Sequence, residues 1–191
     1  MCNTIHHFYT NLLEGDLLTL QNYLRGSLYY NFQQALTDIG HRDPQEKFFA
    51  ELSQPTKGKG ASHDVVIMMK FAPLGDFLSS KFFTFVLGKL NHPFLAVPSQ
   101  LEVLPEPRLK VIVIRPLFRN GSLRDFIHKC SPEQPSSQKY SKEGVPLSLE
   151  EISLFGCQIL GALLFLQQIR FPFPHLHCGN ILVQDDTKRI L

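Results

Sequence analysis

Residues 171–183 read FPFPHLHCGNILV. An apolar run broken by Pro172 and Pro174 gives way to His175-Leu176-His177-Cys178-Gly179-Asn180, and the stretch closes on the strand-forming Ile181-Leu182-Val183. Imidazole, thiol and amide crowded into so short a span admit a metal centre, a catalytic loop, or the frame of one that no longer works. Zinc held by His175, His177 and Cys178 needs a fourth ligand at a recognisable spacing, and the candidates, His128 and Cys130, stand at none. A Cys178 nucleophile with a neighbouring histidine is equally thin, because closeness in sequence does not establish geometry.

The segment before this stretch carries the clearest helical pattern. Over 147–168, LSLEEISLFGCQILGALLFLQQ, Ser148 and Glu151 stand at capping-box spacing, and Ile152, Phe155, Ile159, Leu163 and Leu166 form an apolar stripe. Upstream, CSPEQPSSQKYSKEGVP (130–146) is a polar insert rich in Pro and Ser, and NGSLRDFIHK (120–129) predicts a short helix. The first half has a different rhythm. EKFFAEL (46–52) and HDVVIMMKF (63–71) read as strands joined by the turn-rich SQPTKGKGAS, and 73–90 has helical spacing in Phe82, Phe85, Val86 and Leu90. LEVLP and LKVIVIRP add two strands around the turn EPR. At the N-terminus, Leu13, Leu17, Leu20 and Leu24 predict a helix within 8–36 that packs its stripe on the domain, with Asp16 as a candidate cap after Gly15.

Composition sets the outer bounds. The chain has 191 residues, 43% hydrophobic and 19% charged, enough for one sizeable core. A net charge of +2 provides no field for bulk binding of nucleic acid or anionic membrane. Cys2, Cys130, Cys157 and Cys178 form no C-x-x-C pair and read as reduced thiols. The N-terminus has neither a basic n-region nor an apolar h-region, and no uninterrupted apolar run approaches membrane-spanning length. The expectation is a soluble cytoplasmic protein with no transmembrane segment of its own.

The order of these parts resembles the protein kinase fold: a small strand-rich lobe with one helix, a hinge, a short helix, a long buried helix, then a polar loop ending in Asn before a strand. NHPFL resembles the turn after the kinase C-helix, VIVIRPLFRNGSLRDFI resembles strand five, hinge and helix D, and HLHCGNILV resembles the catalytic loop entering strand seven. Together with the insert after helix D, these motifs resemble the subfamily of Slowpoke-binding protein and PX-domain-containing kinase-like proteins, which are divergent and largely pseudokinases. The resemblance covers roughly residues 36–191. It implies an α+β, kinase-like chain: a helical extension over 1–35, a small lobe and hinge over 36–118, and the start of the large lobe over 119–191, with helix D, the insert 130–146, helix E, the loop remnant and strands seven and eight.

The resemblance also assigns roles. Aligning the last position of H-R-D-x-x-x-x-N on Asn180 places His175 where the catalytic Asp belongs, and a cationic imidazole sits badly beside Mg²⁺. Asn180 corresponds to a metal ligand, with a loop-bracing hydrogen bond as the alternative. Lys70 corresponds to the strand-three lysine that holds the α- and β-phosphates, with a solvated strand end as the alternative. Its C-helix glutamate partner falls at Phe83, and Asp76 is the sole acid between Lys70 and His92. Gly40 stands alone in DIGHRDPQ, where a glycine-rich phosphate loop belongs, and KGKG at 57–60 reads as the turn between strands two and three. Arg115, Pro116, Leu117 and Phe118 correspond to the nucleotide-binding hinge. The sequence closes on TKRIL, where a kinase would next present D-F-G. If Leu191 is the natural terminus, the QILGALLFL helix is expected to lack covering surface, the alternative being a fragment of a longer chain. What the resemblance implies is a pseudokinase serving as a regulatory scaffold, with weak or absent binding of ATP and Mg²⁺ and with membrane channel proteins and 14-3-3 adaptors as partners. The competing expectation is an active Ser/Thr-type kinase.

Overall fold

A computed structural model describes residues 15–27, 29–36, 47–54, 63–71, 80–104, 110–135, 138–173, 175–184 and 189–191. The chain divides into two compact units, the first comprising residues 1–83 and 98–117, the second residues 84–97 and 118–191.

The first unit is built on a five-stranded antiparallel sheet. Its strands are β1 (Asn31–Ala35), β2 (Lys47–Gln54), β3 (His63–Phe71), β4 (Gln100–Leu104) and β5 (Lys110–Pro116), in the order β1-β2-β3-β5-β4. Alternation along the pleat decides what is buried. Phe48, Ala50 and Leu52 of β2, Val65, Ile67 and Met69 of β3, and Ile112 and Ile114 of β5 gather in one core. A helix over residues 15–25, α1, covers it: Leu20 is fully buried within the cluster, and Leu17, Tyr23 and Leu24 pack around it.

Leu17, Leu20 and Leu24 thus pack as expected, with Leu13 and the start of the predicted 8–36 outside the described residues, but the helix stops short at its other end. It ends at residue 25, and Asn31–Ala35 is instead a strand, pairing Asn31 with Ser53 and Ala35 with Ala50. NFQQA has little intrinsic strand character, and the open edge of β2 supplies the reason it extends. Asp16 is likewise no cap. It lies inside α1, where its carboxylate accepts a hydrogen bond from the Lys110 ammonium at 2.6 Å, with side chains only 14% and 6% exposed. Thr19 Oγ1 accepts from the same ammonium at 3.3 Å.

In the second unit, α3 (Leu123–His128) and α4 (Leu149–Gln168) meet a short hairpin. Leu123, Phe155, Ile181, Val183 and Ile190 form its core. The expected strands seven and eight are reduced to isolated bridges, Ser122 with Leu182 and Val183 with Ile190. The capping box of α4 is present as read: Ser148 Oγ accepts from Glu151 N at 3.1 Å, and Glu151 Oε2 accepts from Ser148 N at 3.1 Å. The stripe holds at Phe155, Ile159 and Leu166, with Gln158 and Ala162 buried beside it, whereas Ile152 is 53% exposed. The helix α2 (Ser80–Lys89) ends before Leu90, one residue earlier than its apolar spacing suggested.

Removing one member of a buried ion pair strands the other, a loss of about 3–5 kcal/mol in the fully buried case. Thr19 still accepts from Lys110, so Asp16→Ala is expected to lower unfolding stability by about 2–3 kcal/mol, and Asp16→Ala with Lys110→Met to recover most of it. Urea unfolding followed by circular dichroism measures both. An Asp16→Ala protein as stable as the parent would mean that α1 is not held by this pair.

Candidate functional site

The loop that identifies the chain is held by its own backbone. Phe171 N–H donates to Leu166 O at 2.9 Å, which turns the chain out of α4, and the Phe171 ring stacks on Phe85 at 6.0 Å. Cys178–Asn180 form a single 3₁₀ turn, capped by His177: its Nδ1 accepts from Gly179 N at 3.1 Å, and its carbonyl accepts from Asn180 N at 2.8 Å. The His177 ring lies so close that a Cβ on residue 179 would stand 3.1 Å from it, which favours glycine there. Asn180 Nδ2 then donates to His175 O at 2.9 Å. Beyond the turn, Ile181 O accepts from Leu123 N at 2.7 Å and Val183 N donates to Gly121 O at 3.0 Å, pinning the loop's exit to the start of α3.

This geometry separates the possibilities. His177 uses its Nδ1 lone pair on the turn, and among the described residues no group of three or more His, Cys, Asp or Glu side chains converges as a metal centre. The loop-bracing alternative for Asn180 is therefore realised through its amide nitrogen, and the oxygen is the atom with ligand chemistry left to offer. His175 is exposed, and its carbonyl rather than its ring carries the brace. The loop's form thus rests on its backbone, on the His177 ring and on the Asn180 amide.

In the first unit, Lys70 sits opposite Lys47 on β2 and Val111 on β5, and Arg115 sits opposite Val66. Lys70 and Arg115 thus fall in the half of the alternation that excludes Ile67, Met69, Ile112 and Ile114. The Lys70 and Phe83 side chains, Asp76, Gly40 and the 57–60 turn lie outside the described residues. The sequence of α2, SKFFTFVLGK, contains no carboxylate to pair with a lysine. At the hinge position, Pro116 has no N–H, and its carbonyl accepts from Arg115 Nη1 at 3.4 Å. Burial lowers the Arg115 guanidinium from its ordinary value. Leu117 is half-buried, and the Phe118 carbonyl accepts from Gly121 N at 3.0 Å. Of the residues expected to hold a nucleotide and its metal, the structure describes the Asn180 amide, whose oxygen is free of the brace, and residues 115–118, where Pro116 offers no N–H.

Two buried polar groups escaped the sequence reading. Gln158, on the inner face of α4, accepts at Oε1 from Ile190 N at 2.7 Å and so ties the hairpin to the helix. Its signal was a polar residue inside an apolar stripe. The second, Asp125, was visible as Ser122-x-x-Asp125, the spacing of a capping box. Its Oδ2 accepts from Ser122 N at 2.9 Å and Ser122 Oγ at 2.7 Å, and its Oδ1 from the Tyr140 hydroxyl at 2.7 Å, with Lys139 Nζ at 3.9 Å. The polar insert is thereby tied to α3. Gly121, at φ 68°, makes room: a Cβ would lie 2.5 Å from the Pro132 ring and 2.7 Å from Asp125 Oδ2. Desolvation pushes the Asp125 carboxyl up, but the Ser122 and Tyr140 hydrogen bonds and the Lys139 charge outweigh it and hold the group below its ordinary 3.8. Burial and the bond to Asp125 push Tyr140 up to about 12.

No protein-family model matches the chain. Among individual proteins it is 32% identical to "Probable inactive serine/threonine-protein kinase slob2" of Dictyostelium discoideum, over 90% of this chain and 30% of that protein. It is 28% identical to the PX domain-containing protein kinase-like protein of Mus musculus, over 97% of this chain and 31% of that protein. Slowpoke-binding protein of Drosophila melanogaster matches at 34% identity over 55% of this chain and 21% of its own length. The fold is α+β and kinase-like, its five-stranded sheet that of a kinase small lobe. The chain is thus a homologue of Slowpoke-binding protein and of the PX domain-containing kinase-like proteins. It spans about a third of the length of the relatives it matches.

The Asp125 network gives a pH signature. Its folded value lies below the unfolded value of about 3.9, so its contribution is present above about pH 4 and is lost as pH falls through the folded value. Asp125→Asn is expected to be less stable than the parent by about 1–2 kcal/mol at pH 7, the gap closing in acid. Parallel acid-unfolding curves for the two proteins would contradict this.

Proposed function

We propose that this chain is a pseudokinase domain that acts as a binding and regulatory module in signalling. The observation that carries the reading is the catalytic loop: the Asn180 brace to the His175 carbonyl and the Cys178–Asn180 turn are present, while the proton-accepting position holds an imidazole. Phosphoryl transfer relies on positioned charge around the phosphates and metal. With no carboxylate in α2 and none at residue 175, several of those charges are missing together, a deficit of many powers of ten in rate. The names of the relatives agree, two of them being kinase-like or inactive kinases.

Residual nucleotide binding is part of the proposal. Lys70 would hold the α- and β-phosphates and the Asn180 amide oxygen the Mg²⁺, with Arg115, Pro116, Leu117 and Phe118 as the hinge. Such binding is weak or absent, because Pro116 offers no N–H and the sequence of α2 supplies no carboxylate for Lys70. By likeness to a protein named Slowpoke-binding, the partners would be membrane channel proteins, with 14-3-3 adaptors as a second class. The module would then work in the cytoplasm, at membranes only through what it binds.

Thermal unfolding with millimolar ATP and Mg²⁺ tests the nucleotide part. Ligand at or below its dissociation constant adds no more than about 0.4 kcal/mol, so a shift of a degree or two at most is expected, abolished by Lys70→Ala. A large shift would contradict weak binding, and a shift that survives Lys70→Ala would remove Lys70 from the site.

A further inference from the structure

The polar insert 130–146 closes back on α3, and Tyr140 stands at the centre of the closure. At the entrance of the insert Cys130 N–H donates to Asp125 O at 3.0 Å, and at its exit Val145 N–H donates to Ile127 O at 2.8 Å. Between these ends, Ser131 Oγ accepts from Glu133 N and Ser141 Oγ donates to Gln138 O, both bonds lying within the insert. Of the hydroxyl side chains described in the insert, Tyr140 is the one that reaches α3, donating to Asp125 Oδ1 at 2.7 Å.

Tyr140 is held there under strain. Its φ is 63°, in the left-handed region that a bulky residue seldom occupies without compensation. The compensation lies in the side chain: besides the Asp125 bond, the Arg124 guanidinium sits 3.9 Å over the ring and the His128 ring meets it edge-on at 5.2 Å. Loss of the hydroxyl's donation therefore weakens the contacts that offset a strained backbone at the same residue. Tyr140 is only half-buried, and Gln138, Ser141, Lys142 and Glu143 around it are exposed. Local opening of such a surface segment presents the hydroxyl to an enzyme.

We propose that Tyr140 is a phosphorylation site and that its phosphate releases the insert from α3. In the transfer, the Tyr140 oxygen takes the γ-phosphoryl group of ATP on a separate tyrosine kinase. The O–P bond forms, the bond from the γ-phosphorus to ADP breaks, and the hydroxyl proton passes to that enzyme's base. The product has no hydrogen to donate to Asp125 and carries a charge of about −1.5 to −2 at neutral pH. Asp125 is buried and anionic, and its Oδ2 already accepts from Ser122 N and Oγ, so the carboxylate is fixed in place. Lys139 Nζ stands 3.9 Å from Oδ1 and also donates to Pro132 O. One ammonium does not balance a carboxylate and a phosphate dianion together, and repulsion opens the contact. Arg124, exposed on the ring face, is near enough to pair with the phosphate once it swings out. The bonds from Leu123 N to Ile181 O and from Val183 N to Gly121 O do not pass through Tyr140, so the exit of the Cys178–Asn180 loop keeps its hold on α3. Neither Tyr140 nor Asp125 belongs to the nucleotide reading, and the release does not depend on it.

The test treats the full chain with the catalytic domain of a broad-specificity tyrosine kinase, ATP and Mg²⁺. Peptide mass mapping is expected to find a phosphoryl group on Tyr140. Hydrogen exchange should then quicken at least ~10-fold over residues 138–145, the size that loss of a bond to a charged acceptor implies, and stay unchanged over 181–184. Tyr140→Phe, which keeps the ring and its contacts, should exchange alike over 138–145 before and after the same treatment, which accounts for phosphate on other tyrosines. A Tyr140 left unmodified in the folded chain would overturn the proposal. So would phosphate on Tyr140 with exchange over 138–145 unchanged or slowed, an acceleration that spreads equally to 181–184, or an equal acceleration in treated Tyr140→Phe.

Discussion

The core of the first unit depends on one row of β3, with Val66 of the other row buried as well. Val65, Ile67 and Met69 sit between the matching rows of β2 and β5, and Leu20 of α1 closes over them. Each such side chain contributes about 1.5–3 kcal/mol on burial, so this row outweighs any single polar contact nearby. A one-residue slip of β3 would turn the row to the other face and bring Lys70 and Met68 into the core, so the register is firmly set. Fixing that row leaves Arg115 of β5 outside it, at the position paired with Val66.

In the second unit, frame and chemistry are separate. The loop's shape is made by backbone amides, by His177 capping its own turn, and by the Asn180 amide bridging to the His175 carbonyl. None of these contacts uses the side chain of residue 175. The His175 side chain can therefore change without disturbing the turn. Gln158 and Asp125 work in the opposite sense, as buried polar groups whose every described contact is structural. Partly satisfied buried polar groups are costly, so these two specify one arrangement of hairpin, helix and insert.

Much of this was legible beforehand, for identifiable reasons. The strands at 63–71 and 109–116 are rich in Val and Ile, and Ser148 with Glu151 announces its helix. Local chemistry decided those elements, and the structure agrees with it. Asn31–Ala35 failed because nothing local marks NFQQA as a strand, and only the exposed edge of β2 makes it one. Asp16 resembled a cap because an acid after glycine often is one, but its partner Lys110 is 94 residues away and no spacing rule connects them. Gln158 was visible as an oddity inside a stripe, yet its partner is the Ile190 backbone N–H, which no side-chain pattern reveals. Within the candidate site, that residues 83 and 175 are Phe and His needs no coordinates, and a loop-bracing hydrogen bond was one of the two readings of Asn180; that the brace runs from its amide nitrogen to the His175 carbonyl was not legible.

The central claim is that the loop keeps its form without its catalysis, and transfer of radiolabelled γ-phosphate from ATP with Mg²⁺ to a general protein substrate measures it most directly. The account predicts incorporation at background for the parent and for His175→Ala alike. Incorporation well above background by the parent, lost in His175→Ala and restored or enhanced in His175→Asp, would contradict it.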